Sequence, residues 1–108
     1  MPTSLVLDTA RGNDGKIRLT AAGEIDMSNI DAFDQALASA VAEAANDGGM
    51  LTVDLRAVDY LDSAAISALF ARADDIQLIA HPMLMPILKV SGLVELVPIE
   101  AAPPAADD

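Results

Sequence analysis

The spacing of apolar residues switches several times along the chain between a period of two and a period of three to four. The first spacing is typical of strands with one buried face, and the second is typical of amphipathic helices. Strands are predicted over residues 4–8, 16–23, 51–55 and 76–80, with a last short extended piece over 95–100. Helices are predicted over residues 28–45, 63–73 and 83–90. Turn residues at 11–15 join the first two strands, so the pattern predicts an α/β domain with a mixed sheet of four or five strands, opened by an N-terminal hairpin, and three or four helices.

The size and charge of the chain limit what it can bind. A chain of 108 residues suits one domain, predicted over residues 1–100, and residues 101–108 are predicted to form a disordered acidic tail. The net charge of −11 disfavours binding to nucleic acid or to anionic membranes, and it favours a basic protein partner. The chain has no cysteine and no apolar run long enough to insert into a membrane, so we expect a soluble cytoplasmic protein.

Two acidic segments fall where a predicted strand passes into a predicted helix. Asp62 and Ser63 follow the third strand, and Asp26 follows the second. Binding surfaces of open α/β sheets lie beyond the carboxyl ends of the strands, so we expect these residues to share one face. Ser63 is predicted to be the N-cap of its helix, with its hydroxyl at least partly exposed. Ser28 and Asp31 have the spacing of a capping box.

Few residues have the arrangement that catalysis requires. His81 is the single histidine and precedes a proline, and no glycine flanks Ser63 as a nucleophile elbow requires. The sequence has no glycine-rich phosphate loop with a lysine, and acids such as Asp26, Asp59 and Asp62 are scattered. We therefore expect no cofactor, no metal ion and no enzymatic activity. A small carboxylate-dependent hydrolase is the enzymatic alternative.

Three blocks of the sequence resemble a known family. These blocks are LTAAGEIDMSNIDAFDQALASAV, LTVDLRAVDYLDSAAISAL and HPMLMPILKVSGLVELVPI. In this order they look like a STAS domain of the anti-sigma-factor antagonist type, and the resemblance covers residues 4–99, nearly the whole chain. The resemblance implies the fold that is predicted above. It also implies a role in bacterial transcription regulation by partner switching.

The resemblance also implies a partner and a site. The partner is an anti-sigma factor that is also a serine kinase, and a serine phosphatase is a further possible partner. Ser63 matches the serine that the kinase phosphorylates. This phosphorylation blocks binding to the anti-sigma factor, and it thereby controls release of the sigma factor. The protein is expected to be a monomer or a weak homodimer. The residues implied in partner binding are Asp26, Met27, Ser28, Asp62, Ser63, Ala64, Ala65, Pro82 and Met83.

The sequence departs from the family pattern in three places. Ala64 and Ala65 replace the usual serine and glycine after Ser63, the second helix is short, and Pro86 lies within the third helix. Proline is tolerated there if it falls in the first turn. The replaced glycine leaves a second hypothesis open, a STAS subunit of a lipid-transport or stress-signalling complex in which Ser63 stays unmodified.

Overall fold

Five strands form one mixed sheet in the order β1-β2-β3-β4-β5 in the computed structural model, which describes residues 4–12 and 15–102. Strand β1 (Leu5–Arg11) runs antiparallel to β2 (Ile17–Ile25). Strands β3 (Leu51–Leu61), β4 (Ile76–Ala80) and β5 (Ile99–Ala101) continue the sheet in parallel. The predicted mixed sheet and its opening hairpin are therefore confirmed.

Three α-helices and three short 3-10 turns complete the described chain. The helices are α1 (Ile30–Asn46), α2 (Ser63–Ala71) and α3 (Met85–Val90). A 3-10 turn over Pro82–Leu84 precedes α3, so this helix begins later than predicted. Pro86 consequently lies in the first turn, where its missing N–H breaks no helical hydrogen bond. None of these helices, within residues 4–12 and 15–102, is long and apolar enough to cross a bilayer.

The helices pack on one face of the sheet. Alternate strand residues and the inward stripe of α1 form a single aliphatic core around the buried ring of Phe33. The strand residues of this core include Ile17, Leu19, Ala21, Leu51, Val53, Leu55, Ile76, Leu78 and Ala80. The residues between them, such as Arg18, Thr52 and Gln77, point to the opposite face and are half-buried or exposed. The predicted alternation of apolar and polar strand residues thus corresponds to a sheet with one face covered by helices and the other face open.

Strand β3 is longer than the predicted segment 51–55, because it bulges twice against β2. The register between the two strands shifts between Thr20 and Ala22 and again between Gly23 and Glu24. Each shift places one extra residue in β3 and turns the next side chains to the other face. The buried residues are therefore Leu55, Val58 and Leu61, a spacing of three that does not resemble a strand in the sequence. The bulges are the reason that the sequence prediction ended too early.

Gly23 occupies a position in β2 that other residues fit poorly. Its φ is +111°, and a Cβ atom there would clash with the backbone carbonyl of Ser4. That carbonyl accepts a hydrogen bond of 3.0 Å from the N–H of Glu24. Glycine therefore allows the start of the chain to pair closely with the end of β2.

The ordered domain extends slightly beyond the predicted boundary at residue 100. Ala101 belongs to β5, and the buried Ala102 donates its N–H to the carbonyl of Ala80 at 2.8 Å. The prediction that these two residues belong to a disordered tail is wrong, because both pair with Ala80 of β4. The remainder of the predicted tail, 103–108, lies outside the described residues, as do Asn13 and Asp14 of the predicted turn.

Candidate functional site

The candidate site begins where β2 and β3 end side by side. The last paired residues of the two strands are Ile25 and Leu61, so Asp26 and Asp62 are the first residues beyond the sheet. The N–H of Asp62 still donates to the carbonyl of Ile25 at 3.1 Å, which holds the two strand ends together. The structure therefore brings the two predicted acidic segments to one end of the sheet.

Asp62, and not Ser63, is the N-cap of α2. The backbone of Asp62 is extended, with φ −96° and ψ −175°, and its Oδ1 accepts the N–H of Ala65 at 3.0 Å. The other carboxylate oxygen, Oδ2, accepts the N–H of Met27 at 3.0 Å. The prediction of a Ser63 cap is wrong because the helical backbone begins at Ser63, one residue after the capping position.

Ser63 is the first residue of α2 and is exposed to solvent. Among the described residues, no group forms a hydrogen bond with its hydroxyl. Ala64 is half-buried beside it. Ala65 is completely buried in the core, so its side chain is not available to a partner, contrary to its place in the predicted surface.

The turn between β2 and α1 is held by its own polar side chains. Asp26 Oδ1 accepts hydrogen bonds from the N–H and the hydroxyl of Ser28, at 2.9 and 2.6 Å. Asn29 Oδ1 accepts the N–H of Asp26 at 3.0 Å, and Asn29 Nδ2 donates to the carbonyl of Glu24 at 2.9 Å. The predicted capping box of Ser28 and Asp31 is wrong, because Asn29 is the N-cap of α1 and Ser28 bonds backwards to Asp26.

Two methionines project from this end of the sheet. The side chain of Met27 is 80% exposed and that of Met83 is 78% exposed. Met83 follows β4, where its N–H donates to His81 Nδ1 at 3.0 Å and Pro82 opens the 3-10 turn. Val90, at 88%, is more exposed than either methionine, so exposure alone does not mark a binding surface, and the partner-binding role of Met27 and Met83 stays a prediction.

The surface is stepped, because β4 is shorter than its neighbour. Its last residue, Ala80, pairs with Leu55, whereas β3 continues to Leu61. The 3-10 turn over Pro82–Leu84 therefore packs against the side of β3. A hydrogen bond from the Met27 N–H to Asp62 joins the turn after β2 to the start of α2, while Pro82 and Met83 lie in the 3-10 turn that follows β4.

The electrostatic character of the site is acidic. The chain has no lysine or arginine between Arg18 and Arg56, a stretch that includes the Met27 turn and all of α1. Glu24 and Asp31 lie exposed on either side of Met27 in the sequence. The charge close to Met27 in the sequence is therefore entirely negative, which agrees with the predicted preference for a basic partner.

One buried carboxylate was not identified from the sequence. Asp54 in β3 is only 4% exposed, and Arg56 donates to it from Nε at 3.0 Å and from Nη2 at 2.6 Å. Arg18 Nη1 lies 3.6 Å from the same carboxylate. Burial opposes its charge, but the hydrogen bonds and charge of Arg56, with Arg18, hold the pKa of Asp54 below its usual value. The only sequence signal is an aspartate two residues before an arginine in a strand.

Comparisons with known proteins identify the fold family. Residues 9–98 match the family model described as "Mlab, STAS domain". This chain belongs to the STAS domain family. The resemblance seen in the three sequence blocks is therefore confirmed for most of the chain.

Solved structures agree with this assignment. The STAS domain is similar to an anti-sigma factor antagonist from Mycobacterium paratuberculosis, with 27% identity, a TM-score of 0.79, and coverage of 97% of this chain and 90% of that one. The unphosphorylated anti-sigma factor antagonist SpoIIAA shares the fold at 13% identity, a TM-score of 0.69, and coverage of 92% and 90%. An uncharacterised protein from Shewanella loihica with a SpoIIAA-like fold matches at 14% identity and a TM-score of 0.58, covering 93% and 86%. A search of curated proteins gave no match.

Proposed function

We propose that this STAS domain is an anti-sigma factor antagonist whose binding is switched off by phosphorylation of Ser63. In its unphosphorylated form it binds an anti-sigma factor that is also a serine kinase, and the sigma factor is released. The observation that carries the proposal is the exposed Ser63 hydroxyl at the first position of α2, beside the Met27 turn. Support also comes from the antagonist of Mycobacterium paratuberculosis, which matches at 27% identity over nearly the whole chain.

The position of Ser63 accounts for a switch that leaves the fold intact. The first N–H groups of a helix have no intrahelical acceptor and carry a partial positive charge, so a phosphate there is tolerated by the folded domain. The same phosphate adds about −1.5 to −2 charge units to a surface that already contains Asp26 and Asp62. Burying that charge against a partner costs desolvation energy and brings acids together. Phosphorylation is therefore expected to weaken binding rather than to unfold the protein, and a serine phosphatase would restore binding.

The first experiment combines the purified protein with a co-encoded candidate anti-sigma factor and ATP. Mass spectrometry then locates the phosphate, and calorimetry measures affinity before and after the reaction. Ser63→Ala should abolish phosphorylation, whereas Ser67→Ala should not, because Ser67 is also exposed on α2 but lies one turn further on. Loss of phosphate from the Ser67 variant alone, or the absence of any binding, would contradict the proposal.

A second candidate is a STAS subunit of another assembly, such as a lipid-transport or stress-signalling complex, with Ser63 unmodified. The packing after Ser63 favours this candidate, because the methyl group of Ala65 is buried in the core and ties the start of α2 to it. A kinase that must draw Ser63 into its active site would have to disturb that packing. Tight binding to a partner, with no phosphate found on Ser63 in cells, would favour this candidate over the first.

A further inference from the structure

The carboxylate of Asp62 connects two parts of the site that are far apart in sequence. Oδ1 accepts the N–H of Ala65 in α2, and Oδ2 accepts the N–H of Met27 in the turn after β2. Both bonds are 3.0 Å long. Each oxygen of this half-buried side chain is thus directed by a backbone N–H of the protein itself. This orientation is typical of a group that holds other residues in place.

The Met27 turn needs such a connection. Hydrogen bonds among Asp26, Ser28 and Asn29 fix the shape of the turn, but they lie within the turn itself. The bond from Met27 N–H to Asp62 instead fixes where the turn sits relative to α2 and therefore relative to Ser63. Removing the acceptor oxygen would keep the bonds within the turn and the backbone bond from Asp62 to Ile25, and it would remove the side-chain link between Met27 and the start of α2.

The side chain presented by this turn has the properties of an interface anchor. Met27 is 80% exposed, although its backbone is held on both sides by hydrogen-bonded residues. Methionine adapts its shape to apolar pockets, and an apolar anchor inside a polar rim is the usual pattern of an energetic hot spot. The charged residues nearest to Met27 in the sequence, Glu24, Asp26 and Asp31, are all acidic, which favours a partner with basic residues around its apolar pocket.

We infer that Asp62 is a positioning residue that fixes Met27 as the apolar anchor of the partner interface, and that the partner presents an apolar pocket with a basic rim. The binding half of this inference rests on the proposed function. The positioning half concerns this chain alone and is measured without a partner.

The positioning half is tested by hydrogen exchange of the Met27 amide, measured by NMR. Asp62→Asn keeps one acceptor oxygen but cannot satisfy both N–H groups. Asn is also a good N-cap, so α2 should persist. The Met27 amide should exchange about 10-fold faster in this variant, as expected when a bond of about 1 to 1.5 kcal/mol is lost. Asp59→Asn is the matched control, because it removes one exposed acid of β3 and should leave this amide unchanged. Equal exchange in wild type and Asp62→Asn overturns the positioning role.

The binding half is tested by a double-mutant cycle with the candidate anti-sigma factor. Met27→Ala and Asp62→Asn should each lower affinity about 10-fold, and the double variant should bind as Met27→Ala does, because both changes remove the same anchor. Additive losses, with Asp62→Asn lowering affinity also where the Met27 side chain is already absent, would make Asp62 a direct contact of the partner and overturn the inference. A wild type that binds no anti-sigma factor would refute the proposed function and the anchor with it, while hydrogen exchange would still decide the positioning role.

Discussion

Two aspartates, one inside β3 and one just after it, differ in the groups that bind their carboxylates. Asp54, inside the strand, is paired with the guanidinium groups of Arg56 and Arg18 on the open face of the sheet. Asp62, just after the strand, is paired with neutral backbone N–H groups of Met27 and Ala65. The first carboxylate has its charge compensated by cations of the same chain, whereas the second keeps a net negative charge at the candidate site.

From this difference we expect the same residue type to serve stability at Asp54 and, under the proposed function, recognition at Asp62. A buried carboxylate next to cations is stable only with those partners, so it contributes to the folded state and offers little to a second protein. A half-buried carboxylate held by N–H groups orders two loops without cancelling the field outside them. We therefore expect changes at Asp54 to alter stability and changes around Asp62 and Ser63 to alter binding.

The largest effect on stability is expected from Asp54→Asn. This variant leaves Arg56 and Arg18 without their shared carboxylate. Because both arginines are about half exposed and can regain water, the free energy of unfolding should fall by about 2 kcal/mol, less than for a fully buried pair. Urea denaturation measures this loss, and calorimetry should show unchanged affinity for the partner. A large loss of affinity at unchanged stability would show that Asp54 serves binding and not stability, which is the opposite of what we expect.

The next effect concerns binding alone. Ser63→Asp should weaken affinity for the anti-sigma factor by about 10-fold, or 1.4 kcal/mol, because it places a permanent charge inside the interface, where that charge must lose its hydration. Ser63→Ala should bind as the wild type does, since it adds no charge. Calorimetry on both variants, with thermal melts of the same samples, separates binding from folding. Equal affinities for all three proteins would remove Ser63 from the binding surface.

The N-cap of α2 provides a smaller effect that tests which residue caps the helix. Asp62→Ala should lower the free energy of unfolding by about 1 kcal/mol, and Ser63→Ala should change it by less than about 0.5 kcal/mol. Chemical denaturation of the two variants gives the comparison directly. If Ser63→Ala were the more damaging change, the capping role would belong to Ser63 after all.

The smallest effect is the pH dependence contributed by Asp54. Its pKa is lower in the folded protein than in the unfolded chain, so the unfolded state binds more protons in acid. The contribution to stability is fully present above the unfolded pKa of about 4 and decreases as pH falls through the folded value. Asp54→Asn should therefore show a shallower loss of stability below pH of about 4 than the wild type in denaturation curves measured across pH. Identical acid dependence would show that the carboxylate is not held ionised by its arginines.

The elements of the fold were predictable where apolar spacing is regular. The strand at 76–80 and the order of strands and helices match the structure. The distal half of β3 was not predictable, because its bulges give Leu55, Val58 and Leu61 a spacing that fits no standard strand. The burial of Asp54 was hidden for a related reason. Alternation assigns this residue to the open face, but it does not show that arginine side chains cover it there.

The site was predictable in its location but not in its contacts. Placement of Asp26 and Asp62 beyond neighbouring strand ends follows from strand order, which the sequence indicates. The bond between Met27 and Asp62 joins residues that are 35 apart, and it depends on the register of β2 against β3. The choice between Asp62 and Ser63 as cap depends on one backbone conformation, for which the two neighbouring polar residues give no signal.

The paired bulges of β3 constrain how the length of this chain can change during evolution. Together they add two residues to β3 relative to β2, which restores the alternation and brings Leu61 opposite Ile25. Losing one residue from this part of the strand would turn Leu61 towards solvent and Asp62 towards the core. Losing both would keep the side chains on their faces. A deletion of two residues from this part of β3 should therefore be tolerated better than a deletion of one.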